Sequence, residues 1–154
     1  MILRVAPMSR RRALGALGAL IVLAACGRDP AVPAPVAIAF GHDECEYCRM
    51  TIDDPHLAAE FVESSGRVHR FGEPGCLVAW LRGRAAPGGT AFVTDAERGG
   101  WLSASGAVYL RGRVRTPMAY QVAAYRVAPA HAGSAARLDW ATLLAQGVTG
   151  APLR

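Results

Sequence analysis

Six consecutive residues, Cys45-Glu46-Tyr47-Cys48-Arg49-Met50, bring two thiols and a thioether within reach of one another. Thiolate and thioether sulfurs are soft donors, and a set built from them selects Cu(I) over Mg, Ca or Mn. In an extended or turning backbone Cys48 and Met50, two positions apart, leave the same face of the chain. Cu(I) accepts as few as about two or three soft ligands, so one further donor would close a site with Cys45, Cys48 and Met50. Three residues are candidates for it. Met118 lies in Thr116-Pro117-Met118, where proline stiffens the approach. His69 lies in a strand-like segment. Cys76 opens a helix behind Pro74-Gly75, and a helix N-terminus favours its thiolate. His42 and His56 flank the motif as auxiliary donors, and His131 receives no role.

A Cys-x-x-Cys pair has other readings. A redox pair needs a helix N-terminus to lower one thiol pKa, and Asp53-Asp54-Pro55 breaks helices just downstream. Covalent haem attachment needs His after the second cysteine, where Arg49 stands. Tetrahedral zinc needs a fourth ligand, and no second Cys-x-x-Cys or His pair is spaced to supply it. A structural disulfide between Cys45 and Cys48 stays open, as does an enzyme of thiol-disulfide chemistry. No Gly-x-Ser-x-Gly, phosphate loop or metalloprotease helix motif occurs, so hydrolysis and acyl transfer find no support.

The N-terminus reads as an export signal. Arg4, Arg10, Arg11 and Arg12 form a positive region, and Ala13 to Leu23 form an apolar run of 11 residues, too short for the ~20 that span a bilayer. Leu23-Ala24-Ala25-Cys26 then has the form of a lipoprotein cleavage site, with Cys26 the lipidated residue. Residues 1–25 are read as signal peptide, 26–40 as a lipidated Pro/Ala-rich tether and 41–154 as the metal-binding domain. Cleavage before Cys26 leaves 129 of the 154 residues, enough for one domain with its own core. Four of the 17 Lys+Arg residues lie in the leader, so the remaining 13 stand against 12 Asp+Glu and the net charge falls from +5 to +1. That balance gives no reason to expect a nucleic-acid partner. With Cys26 lipidated, Cys45, Cys48 and Cys76 remain, an odd number that a disulfide framework does not use up.

The elements that would position these donors are short. Leu57 to Glu63 and Arg67 to Phe71 read as a hairpin around Ser64-Ser65-Gly66. In Cys76 to Arg84, Leu77, Trp80 and Leu81 form a helical stripe. Ala91 to Asp95 follows as a buried strand, completing a β-β-α-β unit. A second unit is expected to open with strands at Gly100 to Ser103 and Ala107 to Leu110. Tyr120 to Val127 reads as a strand or the approach to a helix. Ala130 to Ala136 and Leu138 to Gln146 are helix candidates, the latter with Asp139 near its start. The fold class is α+β, two such units around one core.

Taken together, the leader, Cys45-x-x-Cys48-x-Met50, Phe71-Gly72-Glu73-Pro74-Gly75-Cys76-Leu77, Gly100-Trp101-Leu102 with Ala107-Val108-Tyr109, and Thr116-Pro117-Met118 resemble the nitrous oxide reductase accessory protein family, NosL. The resemblance runs from about residue 43 to about residue 127, in the family's order of motifs. It implies a pair of β-β-α-β units related to a domain of organomercurial lyase, and a periplasmic, lipid-anchored Cu(I) chaperone without enzymatic activity. The implied partner is a copper enzyme awaiting its metal, nitrous oxide reductase or its assembly machinery, and the implied ligands are Cys48, Met50 and Met118. The alternative is an organomercurial-lyase-like or thiol-disulfide enzyme. Two departures stand out: Arg49 where the family often has Gly, and Ala119-Tyr120-Gln121 where it has a glycine-containing run.

Overall fold

Burial along both faces is what makes Ala59–Glu63 (β1) a central strand: four of its five residues are buried, Glu60 among them. Glu60 is accommodated because its Oε2 accepts the Val36 N–H at 2.8 Å and its Oε1 lies 3.5 Å from Arg70 Nε. The computed structural model describes residues 33–150 apart from 86, 87, 113 and 134; the signal peptide, Cys26 and the start of the tether lie outside the described residues. From Pro33 onward the chain forms one unit.

Val68–Phe71 (β2) returns from β1 through a turn closed by Gly66 at φ 87°, where a residue with a Cβ would be strained. Pro74–Arg82 (α1) follows, with proline in its first turn, where a missing N–H costs nothing. Its buried stripe of Cys76, Leu77, Val78 and Trp80 covers β1 and β2. Gly89–Thr94 (β3) then pairs antiparallel with β1, and Trp101–Ser103 (β4) with β3, giving the sheet order β2-β1-β3-β4.

Val108–Arg111 (β5), Val122–Tyr125 (β6) and Ala136–Leu138 (β7) form a second antiparallel sheet in the order β6-β5-β7. Trp140–Gln146 (α2) closes the described fold, begun by Asp139, whose Oδ1 accepts the Thr142 N–H at 2.7 Å. The α+β class stands, with two small sheets and two helices. Its second half departs from the expected β-β-α-β order. The strand at Trp101–Ser103 belongs to the first sheet, and the helix follows three strands instead of separating them. The stretch read as a helix over Ala130 to Ala136 is a single 3-10 turn, Ala130–Ala132, stopped by Gly133 at φ 54°.

The two sheets touch at a parallel bridge between Asp95 and Ala124. The larger core runs from Ile52, Phe71 and Leu77 to Val93, Tyr109, Val122 and Leu143 and includes Cys45, Cys76 and Met118. Leu57, Leu110, Ala123, Tyr125 and Ala132 form a second, smaller cluster in place of the single core expected. Burying side chains of this size contributes roughly 1.5–3 kcal/mol each. The last carbonyls of α2 are taken by arginines from elsewhere: Arg82 Nη1 donates to Leu144 O and Ala145 O, and Arg111 Nη2 to Gly147 O at 2.7 Å. Among the described residues no helix is long and apolar enough to cross a membrane.

The segment Thr116 to Gln121 lies against the start of α1, and Gly75 makes room for it: a Cβ there would overlap the Tyr120 ring. Gly75→Ala is therefore expected to destabilise the fold by about 1–3 kcal/mol, the usual range for overpacking. Denaturant unfolding measures this, and unchanged stability would mean that Tyr120 is not held there.

Candidate metal centre

The loop carrying Cys45 and Cys48 is a tight reversal. Ile52 N–H donates to Asp43 O and Cys45 N–H to Met50 O, both at 2.8 Å, and Arg49 N–H donates back to Cys45 O at 3.0 Å. Closing so short a loop puts Arg49 at φ 63°, in the left-handed region that costs a residue with a Cβ roughly 1–2 kcal/mol. Ile52, fully buried, anchors the returning segment in the core, and Glu46 N–H donates to Arg70 O at 2.8 Å, tying the loop to β2.

The third sulfur arrives from another direction. Pro74 and Gly75 start α1 directly after β2, and Cys76 in its first turn faces the core. The Sγ atoms of Cys45, Cys48 and Cys76 all lie within 4.8 Å of one another, and all three cysteines are free thiols. This group can hold a metal ion. A cavity of about 10 Å³, room for one water-sized or ion-sized occupant, is lined by the three cysteines with Met50, Thr51, Asp53, Gly72, Glu73 and Pro117.

Protons are unequally shared in the group. The Cys76 thiol donates to the Cys45 sulfur, and the backbone N–H groups of Cys48, Gly72 and Tyr47 do so as well; against the opposing effect of burial, they lower the Cys45 pKa to about 5. Cys76 is pushed up because its proton is the one donated to Cys45, and burial adds to this. Burial also raises Cys48, although the Met50 N–H donates to its sulfur. The hydrogen bond between Cys45 and Cys76 thus favours one thiolate within that buried pair, while burial keeps the Cys48 thiol pushed up.

The other sequence candidates fall in different places. Met50 lines the cavity and is 38% exposed at its edge. Met118 is buried in the core and does not line the cavity, although its neighbour Pro117 does. His69 stands apart from the three sulfurs. It stacks on Trp80 with ring centroids 4.5 Å apart, and its Nε2 is 2.8 Å from Glu63 Oε1 while Nδ1 faces Glu46 Oε1 at 3.9 Å. His42 and His56 are exposed and line no part of the cavity, and His131 is exposed in the 3-10 turn.

Glu73 is a residue of the site that the spacing of donors did not single out. It is fully buried, its Oε1 accepts the Met118 N–H at 2.6 Å, and its Oε2 has no hydrogen-bond partner. Burial raises its pKa, outweighing the Thr116 hydroxyl and the Met118 N–H, which favour the carboxylate. The only sequence signal was its place in Glu73-Pro74-Gly75, which marks a helix start.

No protein-family model, curated protein or solved structure matches this chain.

Binding an ion to all three sulfurs as thiolates must expel the protons of Cys48 and Cys76, so about two protons should be released per ion at pH 7. Affinity should then climb with pH through the neutral range and fall more steeply below about 5, where Cys45 is also protonated. Calorimetry in buffers of different ionisation enthalpy counts the protons. Release of none or one would leave a cysteine outside the coordination.

Proposed function

We propose that this chain carries Cu(I), taking up one ion between Cys45, Cys48 and Cys76 with Met50 at the mouth, and passing it on by ligand exchange. The observation that carries this reading is the convergence of three free thiols from two separate segments on a cavity of single-ion size. The donor set fits the ion. Three thiols and a thioether are soft, and a monovalent ion among them needs no fourth hard ligand. Met50, on the exposed edge, offers a weaker neutral donor through which an ion can leave. The resemblance to the NosL family supplies the setting: a periplasmic lipoprotein anchored through Cys26, delivering copper to nitrous oxide reductase or to the machinery that assembles it.

The distribution of protons speaks against the alternative of a thiol-disulfide or organomercurial-lyase-like enzyme. A nucleophilic thiol needs to be both ionised and accessible. Here the pair whose hydrogen bond favours a thiolate, Cys45 and Cys76, is 1% and 0% exposed, whereas burial pushes the more accessible Cys48 thiol up. A carrier has no such need, since the incoming ion itself displaces the protons.

Competition for Cu(I) between the reduced protein and a chromophoric chelator tests the reading, and about one ion per chain is expected. Stoichiometry well below that sinks it. Met50→Ala should weaken affinity by about tenfold, equivalent to about 1.4 kcal/mol, while His69→Ala and His131→Ala leave it unchanged. Equal affinities for Met50→Ala and the parent would remove Met50 from the site.

A further inference from the structure

Cys45 and Cys76 are 1% and 0% exposed, so an ion between their sulfurs is reached from outside only along the edge that Cys48 and Met50 share, unless a wall of the cavity moves. One wall is Pro117, in the segment Thr116-Pro117-Met118-Ala119-Tyr120-Gln121. That segment holds two residues with a Cβ in the left-handed region, Ala119 at φ 55° and Gln121 at φ 57°. Such residues avoid this conformation when free to choose, and keep it only where their surroundings impose it.

Within the turn Ala119 N–H donates to Thr116 O at 2.9 Å and Gln121 N–H to Thr116 Oγ1 at 3.1 Å, and Gly112 N–H donates to Gln121 O at 2.9 Å. Three further contacts tie the middle of the segment to the rest of the fold. The Tyr120 ring sits in the notch left by Gly75. The Met118 carbonyl lies against Gly150, where a Cβ would overlap it. The Met118 N–H donates to Glu73 Oε1 at 2.6 Å, the directional bond among the three. Glu73 occupies the N-cap position of α1, where a carboxylate ordinarily accepts an N–H of its own helix. It makes no such cap. Its backbone carbonyl accepts the Cys76 N–H at 3.1 Å, and its side chain reaches across 45 residues of sequence to Met118. A fully buried carboxylate with one oxygen left unpartnered is costly to maintain for helix stability alone.

We propose that Glu73 is a positioning residue of the metal centre, latching the Thr116 to Gln121 segment shut over Cys45 and Cys76 and thereby setting the rate at which an ion is released. The proposal rests on the carrier reading above. With the latch closed, Pro117 covers the sulfurs. When the Met118 N–H leaves Glu73, Ala119 and Gln121 relax out of the left-handed region, Pro117 withdraws, and an incoming donor can reach the ion. Closing reverses each step without covalent chemistry.

The test combines three variants with two readouts. Glu73→Ala removes the acceptor and should speed transfer of Cu(I) to excess chelator by about tenfold, whereas Glu73→Gln, whose amide oxygen still accepts the Met118 N–H, should stay within about twofold of the parent. Gly75→Ala, which crowds Tyr120 from the other side, should also speed transfer and covers the case in which Glu73→Ala fails to fold. On the metal-free protein, amide exchange should quicken selectively at residues 116–121 in Glu73→Ala and not in Glu73→Gln. A merely structural role would quicken exchange throughout the domain. Equal transfer rates in all variants, or Glu73→Gln as fast as Glu73→Ala, overturn the latch. If the parent holds no Cu(I), the carrier reading falls, and selective exchange at residues 116–121 still decides whether Glu73 is a latch.

Discussion

The sulfur of Cys45 is where the architecture of this domain converges. It accepts hydrogen bonds from the Cys76 thiol and from the backbone N–H groups of Cys48, Gly72 and Tyr47. Those donors come from the reversal at Cys45 to Met50, the end of β2 and the first turn of α1. A buried thiolate is tolerated only where such donors surround it. The loop, the sheet and the helix must therefore all be in place for the three sulfurs to meet. In this way the site depends on the fold, and the fold accepts a buried negative charge at the sulfurs.

The division of labour among the sulfurs follows from depth. Cys45 and Cys76 are closed off in the core, while Cys48 and Met50 line the same cavity nearer to solvent. An ion that enters such a gradient meets neutral or protonated donors first and the anionic donor last. Departure runs the same path in reverse, from the strongest donor to the weakest. On the proposed carrier reading that ordering would serve release to a partner, whereas a closed shell of four thiolates holds its ion.

Local spacing made half of the site legible. Cys45, Cys48 and Met50 are close in sequence, so any tight reversal brings them together, and the position of Arg49 marks where the reversal strains the backbone. Cys76 was readable as a candidate because Pro74-Gly75 announces a helix start. His69 was a candidate on equal terms, since nothing in a strand pattern tells that Glu63 and Glu46 flank its ring. Glu73 went unnoticed because its partner is Met118, and only the folded chain joins them. The same limit governs the sheets. Hairpin pairing of β1 with β2 is a matter of a few residues. The attachment of Trp101–Ser103 to β3 is decided by which edge is free, which no period reveals. The short turn at Ala130–Ala132 misled for another reason: an alanine-rich stretch favours helix until Gly133 forbids it.

The arginines that clasp α2 have a bearing on how the domain meets acid. A seven-residue helix is too short to stand by itself, and its final carbonyls are received by guanidinium groups of Arg82 and Arg111. Guanidinium keeps its charge at every pH a protein encounters. The chain contains no lysine, so every fixed cation in the framework is of this kind. Acidification that protonates the sulfurs leaves this buttress untouched, so the closing helix keeps its support at that end.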